Sequence, residues 1–206
     1  MANESKLLKR DARSRQILTA ALRLVRDHGT AISTAQIAGK ANCSKETLYN
    51  WFEDRDGIFR ALITEQAKGM NTALNAGFGK ADGSFQEKLH TYCTLLLDMM
   101  TGDAVVVVNR IAMAQTCANT RDFGATVLTN WREQIIAPFV ILFEEGNRAK
   151  HIDTPNAEEA FDVLVGLLLG DRQRRLLLGE NARPSSSEMP IIAQQAVDRF
   201  LGLYSA

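Results

Sequence analysis

The sequence predicts an all-α protein, and three observations support this prediction. Apolar residues recur at the three-and-four spacing of a helix face along most of the 206 residues. Capping residues, glycines and prolines mark helix starts and stops between these stripes. The run Val105–Val108 favours a strand by composition, but no partner strand is apparent anywhere else in the chain. We therefore expect nine helices, with a three-helix unit at the N-terminus and a larger helical domain after it.

The first two helices are defined by clear start and stop signals. The first is expected over residues 8–28, because Gly29 follows its apolar stripe as a stop. The second is expected over residues 34–41, because Ser33 and Gln36 have the spacing of a capping box. Both helices are amphipathic, so each has a face to bury.

A tight turn and a third helix follow. Asn42 is the best non-glycine residue for the left-handed conformation that ends a helix, and Ser44 can cap the next one. Asp54 can cap a fourth helix. Three helices with a tight turn between the second and third form a helix-turn-helix unit, which also occurs in proteins that do not bind DNA.

Glycines and prolines divide the rest of the chain into further helices. The fourth ends at the break Gly79–Gly83, and the seventh is expected over residues 121–149 with a kink at Pro138. Pro155 suits the first turn of the eighth helix, and Pro190 opens the ninth.

The eighth helix is apolar on nearly all sides from Phe161 to Leu169, so it has to be covered all round. Packing of the last two helices against their copies in a second subunit would cover it. We therefore expect a homodimer through the two C-terminal helices. The alternative is a central helix buried within one subunit.

The composition argues against a membrane or secreted protein. The longest nearly apolar runs are too short to cross a bilayer, and the charged N-terminus lacks the apolar core of a signal peptide. Cys43, Cys93 and Cys117 show no CxxC spacing and are expected to be free thiols. We expect a cytoplasmic protein with no membrane partner.

The net charge of zero hides an asymmetry along the chain. Residues 1–52 hold nine Lys and Arg against four acids, a net charge of +5, and the remainder carries −5. A basic first quarter suggests a polyanion as partner. Chance clustering on a solvated helix is the other explanation.

The segment Ile37–Ile63, IAGKANCSKETLYNWFEDRDGIFRALI, resembles the signature of the TetR family of bacterial transcriptional regulators. The family pattern has Ile-Ala, an Ala-Gly-Val-Ser turn, a Thr-Leu/Ile-Tyr-x-x-Phe helix and a Lys-Glu-x-Leu start of helix four. Its counterparts here are Ile37-Ala38, Ala41–Ser44, Thr47–Phe52 and Arg55–Ile58, and the close match covers residues 13–63.

The resemblance implies a nine-helix, dimeric regulator of a double-stranded DNA operator, usually a repressor, that responds to a small-molecule effector. It implies a DNA-binding domain at residues 1–53 and a ligand-binding and dimerisation domain at residues 54–206. Three positions depart from the pattern. Asn42 replaces a glycine, Gly57 replaces an acid that often closes a capping box, and Glu46 replaces a small residue or proline.

The third helix is expected to face DNA with its polar side. Leu48 and Phe52 turn toward the core, which leaves Lys45, Glu46, Tyr49 and Asn50 outward. Asn50 can pair with adenine, Lys45 with guanine, and Glu46 with cytosine N4. Thr34 and Ser44 lie at helix N-termini, where phosphates bind. With the positions carried over from the family, the expected DNA-binding residues are Thr34, Ser44, Lys45, Thr47, Tyr49, Asn50, Trp51 and Arg55.

Tyr49 and Trp51 allow a second interpretation, because aromatic side chains in such a helix are often half packed against the small domain. The basic cluster Lys6–Arg15 likewise either extends along the DNA backbone or is a solvated helix start.

The effector is expected to be a small hydrophobic or aromatic molecule bound in the helical core. The polar residues expected to contact it are His90, Tyr92, Arg110, Cys117 and Trp131, with Arg110 as a partner for an anionic group. His90 and Cys93 lie three residues apart and offer two metal ligands, but no third is apparent, so we expect neither a metal nor a cofactor.

Two other functions remain open at this stage. One is an all-helical enzyme that uses Cys93 or Cys117 with His90, although none of the common catalytic motifs occurs and we expect no catalytic residues. The other is a ligand-binding dimer whose DNA-binding unit is degenerate, for which Glu46 and Gly57 are the only hints.

Overall fold

The computed structural model describes residues 2–78, 83–117 and 122–206, and every regular element in these ranges is helical. The all-α prediction is thus confirmed. The described helices are α1 (Ala2–His28), α2 (Thr34–Ala41), α3 (Lys45–Phe52), α4 (Arg55–Phe78), α5 (Phe85–Thr101), α6 (Asp103–Cys117), α7 (Asp122–Trp131), α8 (Ala137–Arg148), α9 (Ala157–Leu169), α10 (Arg172–Leu177) and α11 (Met189–Leu203).

The described helices number eleven rather than nine because two of the expected helices are each divided. The expected seventh helix is interrupted by a π-helical turn, Arg132–Ile136, which ends two residues before Pro138. Pro138 has no N–H for the α-helical ladder, so the regular hydrogen bonding is broken in this region, and the π-turn lies at the break. The expected eighth helix ends at Gly170, which has φ 54° and ψ −125°, and α10 follows it.

Two boundaries differ from the sequence-based expectation. α1 begins at Ala2 rather than at residue 8. Pro155 lies outside α9, because Asn156 is the N-cap and its side chain accepts hydrogen bonds from the backbone of Glu158 and Glu159. An asparagine N-cap satisfies two of the free N–H groups of the first turn, a role that proline cannot take.

The predicted start signals around α2 and α3 are confirmed. Ser33 and Gln36 form a reciprocal capping box at α2, with Ser33 N donating to Gln36 Oε1 at 2.8 Å. Asn42 ends α2 in the left-handed conformation, at φ 51° and ψ 53°. Ser44 caps α3 by accepting from Thr47 N at 3.1 Å. These hydrogen bonds join residues that are close in sequence, so the helix ends lie where the sequence predicts them.

The described residues form two compact units, Met1–Gln66 with Val107–Val127, and Ala67–Val106 with Leu128–Ala206. The buried cluster of the first unit, which we call the first core, includes Ile17, Ala21, Ile37, Leu48, Phe52, Ile58, Phe59, Leu62, Val107 and Ile111. The run Val105–Val108 is thus helical, and two of its valines contribute to this core. Burial therefore outweighs the strand preference of valine.

The buried cluster of the second unit, which we call the second core, is built around aromatic rings. The Phe139 ring centroid lies 4.9 Å from that of Phe161 and 6.3 Å from that of Phe143, and Phe143 stacks on Phe200 at 5.1 Å. α5, α8, α9 and α11 supply most of this cluster.

No single helix in the described ranges is long and apolar enough to cross a membrane. The consecutive pair Phe85–Thr101 and Asp103–Thr116 passes the same test by length and composition only.

Candidate nucleic-acid interface

α3 has one buried face and one exposed face. Leu48 is 1% exposed and Phe52 is 9% exposed, and both belong to the first core. Lys45, Glu46 and Asn50 are exposed, and Tyr49 keeps half of its surface. The four side chains expected to point outward therefore share the exposed side of the helix, while Thr47 and Trp51 are half-buried.

The N-terminal turn of α3 is held by its own hydroxyl groups. Ser44 Oγ lies 2.9 Å from Thr47 Oγ1 and also accepts from Thr47 N. Both hydroxyls are therefore engaged in the cap. Glu46 lies in this first turn, where the helix dipole stabilises a negative charge by about 0.3–1 kcal/mol. This gives the unusual carboxylate a structural reason that needs no DNA contact.

Two further expected contacts lie at the starts of other helices. Thr34 is the first residue of α2 and is half-buried. Arg55 is the first residue of α4, and its Nε lies 3.6 Å from Asp56 Oδ1. The Arg55 guanidinium carbon lies 5.6 Å from the centroid of the Phe59 ring, so this side chain lies along α4 toward its second turn.

The link between α3 and α4 is a strained turn. Glu53 has φ 66° and ψ −57°, and Asp54 N donates to Phe52 O at 2.7 Å. This is a γ-turn of the rare kind that has a positive φ at its central residue. For a residue with a side chain such a conformation costs about 1–3 kcal/mol. Asp54 then caps α4 as predicted, because its Oδ1 accepts from Gly57 N at 2.6 Å.

The turn explains why position 57 is glycine. A Cβ atom on Gly57 would lie 1.8 Å from the carbonyl oxygen of Phe52, a backbone atom that cannot rotate away. The acid that closes the capping box in related sequences has no room here. The sequence marks Gly57 as a departure, but it carries no signal for the γ-turn that requires it.

Two of the residues expected to bind an effector, His90 and Tyr92, lie on different sides of α5. His90 Nε2 donates to the carbonyl oxygen of Pro190 at 2.9 Å, and His90 lines an open groove of about 480 Å³ between α5 and α11. Tyr92 points into the second core, with its ring centroid 6.2 Å from that of Phe139. Burial, and less strongly the charge of Glu145, raises the pKa of the Tyr92 hydroxyl.

The other three expected ligand contacts belong to α6 and α7. Arg110 lies half-buried on α6. Cys117 ends α6 and Trp131 ends α7, but the side chains of both lie outside the described part of the structure.

The Cys93 thiol is fully buried in the second core, and burial raises its pKa well above the ordinary value. A nucleophilic cysteine needs the opposite shift, toward the thiolate. His90 lies at the groove between α5 and α11, whereas the Cys93 thiol lies in the second core. Among the residues that the structure describes, no group of three His, Cys, Asp or Glu side chains is placed to hold a metal.

Two family models match the chain. The model of the bacterial regulatory proteins of the TetR family matches residues 17–62. The model of the C-terminal domain of AefR-like transcriptional repressors matches residues 87–206. The chain is also 25% identical over 170 residues to the HTH-type transcriptional regulator YvkB of Bacillus subtilis (strain 168), covering 81% of this chain and 85% of that protein.

Solved structures show the same fold. A TetR transcriptional regulator from Agrobacterium tumefaciens is 33% identical, with a TM-score of 0.77 and 95% of both chains covered. The flavonoid-responsive regulator FrrA is 20% identical, with a TM-score of 0.67, and covers 95% of this chain and 98% of its own. At that identity the second similarity extends to the fold alone.

The γ-turn predicts opposite effects of two substitutions. Glu53→Gly removes the strain of the positive φ and should raise the free energy of unfolding by about 1 kcal/mol. Gly57→Ala should lower it by at least about 2 kcal/mol, because the added Cβ meets the Phe52 carbonyl. Urea denaturation measures both.

Gly39→Ala is the matched control, since a Cβ there would meet no described atom within 4 Å. It should leave stability unchanged or slightly raised. A Gly57→Ala chain as stable as the wild type would show that this turn is not formed.

Proposed function

The chain belongs to the TetR family of bacterial regulatory proteins and is a DNA-binding transcriptional regulator, and we propose that it acts as a dimeric repressor released by an effector. We assign DNA binding to residues 1–53, and effector binding and dimerisation to residues 54–206. A protein that binds operator DNA acts in the bacterial cytoplasm. We propose no catalytic activity, and the fully buried, protonated Cys93 supports this assignment.

The observation that carries the DNA assignment is the exposed side of α3. This side carries Lys45, Tyr49 and Asn50. Residues 1–52, which include α3, have a net charge of +5. We propose that Asn50 pairs with adenine and Lys45 with guanine in the major groove, each contributing about 1–3 kcal/mol of discrimination. Tyr49 is assigned to a phosphate. The remaining phosphate-side contacts are proposed for Thr34, Ser44, Thr47 and Arg55.

The proposed dimer uses the exposed sides of α9 and α11. Gly166 in α9 and Gly202 in α11 both lie exposed, and within the described residues a Cβ on either would meet no atom within 4 Å. A glycine inside an exposed helix costs about 1 kcal/mol relative to alanine, so something other than this chain should favour it. Close approach of a second subunit's helices supplies that reason, and the exposed Val163, Ile191 and Leu203 supply apolar area.

The proposed mechanism couples head spacing to effector binding. Two α3 helices about 34–36 Å apart fit successive major grooves of a palindromic operator. An effector that binds better to a form with another spacing shifts the population and releases DNA. α4 extends from residue 55 to residue 78 and so continues from one compact unit into the other, which makes it the natural connection.

DNA binding is tested by gel retardation with the DNA upstream of the chain's own gene. Lys45→Ala and Asn50→Ala should each weaken specific binding by about 1–3 kcal/mol, since each removes one proposed base contact. Lys88→Ala, on α5, removes the same charge as Lys45→Ala and should bind like the wild type. Equal binding by Lys45→Ala, Lys88→Ala and wild type would contradict the assignment of α3.

The dimer is tested by light scattering during gel filtration, where the wild type should show twice the 22.8 kDa of one chain. Gly166→Arg adds a large charged side chain to the proposed interface without a clash inside the subunit, so the mass should fall toward one chain. Gly39→Arg makes the same change at an open position of α2 and should remain a dimer. A Gly166→Arg dimer as stable as the wild type would place the interface elsewhere.

We propose an aromatic effector, in keeping with the apolar second core and with the flavonoid response in the name of the structurally similar FrrA. The flavonoid quercetin should raise the unfolding midpoint by about 5 °C at a hundred times its dissociation constant and release the operator. The aliphatic acid decanoate is the matched apolar probe and should do neither. A response to decanoate alone, or to neither compound, would contradict an aromatic effector.

A further inference from the structure

The N-terminal part of α1 contacts the turn before α3 and α3 itself. The Arg13 guanidinium donates to the carbonyl oxygen of Asn42 at 2.5 Å and to Gln16 Oε1 at 2.8 Å. The Arg10 guanidinium carbon lies 5.8 Å from the centroid of the Trp51 ring. Arg10 and Arg13 are three residues apart and so lie on one face of α1, the face that continues four residues later in the fully buried Ile17.

The contact of Arg13 holds the turn. Asn42 ends α2 in the left-handed conformation, so its carbonyl oxygen lies beyond the regular hydrogen bonds of that helix. A charged donor on a carbonyl oxygen makes a stronger hydrogen bond than a neutral one. Arg13 therefore fixes the three residues 42–44, which join α2 to α3, against α1.

The contact of Arg10 holds α3. Trp51 is half-buried and packs against the first core, while the Arg10 guanidinium lies over its ring. A planar guanidinium near the face of tryptophan is attracted by the ring quadrupole, by about 0.5–1 kcal/mol at exposed sites. Arg10 and Trp51 thus add a second attachment of α3 next to the one made by Leu48 and Phe52, since Trp51 is three residues after Leu48 and lies near it around the helix.

We propose that Arg10 and Trp51, together with Arg13, are positioning residues for DNA binding. They hold α3 in its orientation through contacts within the protein, in addition to the packing of Leu48 and Phe52, and Arg10 does not bind a phosphate. The proposal rests on the proposed role of α3 in reading DNA. Under this proposal, part of the basic N-terminal cluster holds α3 in place, and Trp51 contacts the protein instead of DNA.

A double-mutant cycle on operator binding tests the coupling. Arg10→Gln and Trp51→Leu should each weaken binding about three-fold, and the double variant should be no weaker than the weaker single variant, because both remove one contact. Arg10→Lys keeps a cation near the ring and should restore most of the affinity. Trp51→Met keeps much of the apolar packing without an aromatic ring, so it replaces Trp51→Leu in the cycle if that chain does not fold.

The salt dependence separates positioning from phosphate binding. Loss of a phosphate contact lowers the slope of log affinity against log salt by about 0.9, whereas loss of a positioning contact leaves it unchanged. Arg10→Gln should therefore bind more weakly with the wild-type slope. Arg23→Gln removes the same charge from the same helix and should change the affinity less than Arg10→Gln does.

A spectroscopic measurement reports on the contact without DNA. In a Trp131→Phe chain the remaining tryptophan is Trp51, and its fluorescence emission should shift on Arg10→Gln and stay unchanged on Arg23→Gln. Additive losses in the cycle with a reduced slope for Arg10→Gln would make Arg10 a phosphate ligand and overturn the proposal. Wild-type affinity of Arg10→Gln would overturn it as well.

Lys45→Ala separates this proposal from the proposed function. If Lys45→Ala loses affinity and Arg10→Gln does not, the proposed positioning role of Arg10 is wrong and the proposed recognition of DNA by α3 stands. If neither loses affinity, both are wrong.

Discussion

The burial of Leu48 and Phe52 in the first core is the constraint on which the proposed interface depends. These side chains are four residues apart on α3, and each contributes about 1.5–3 kcal/mol when fully buried. Together they fix the rotation of α3 about its own axis. Because a helix turns by 100° per residue, that rotation decides which polar groups are exposed, so the placement of Lys45, Tyr49 and Asn50 follows from two apolar contacts.

Signals that act within one turn could be predicted from the sequence, and those that depend on packing could not. The caps at Ser33, Ser44 and Asp54 and the left-handed Asn42 involve neighbours three or four residues away, so the residue types alone indicate them. The conformation of Glu53 is different. It results from joining two helices that are each held by the first core, and no residue type in the turn announces it.

The expected site residues show the same division. The outward side of α3 follows from spacing alone. His90 and Tyr92 are two residues apart and so about 200° apart around α5, which means the spacing already separated them before the structure placed one at a groove and one in the core. The contacts of Arg10 and Arg13 could also have been predicted from the sequence, because these residues continue the face of α1 that carries Ile17. Their charge instead suggested a solvated or DNA-bound cluster.

The strained turn has a consequence for how such regulators can be recombined. The Phe52 carbonyl, the backbone of Glu53 and the missing side chain of Gly57 form one steric unit that crosses the end of α3 and the first turn of α4. A chimaera that joins this chain's first 53 residues to the body of a relative with an acid at the fifty-seventh position would bring a carbonyl and a Cβ into the same space. The DNA-binding domains of such regulators can be exchanged cleanly only at a junction placed after Gly57. In evolution, the turn at Glu53 has to change before a larger residue can replace Gly57.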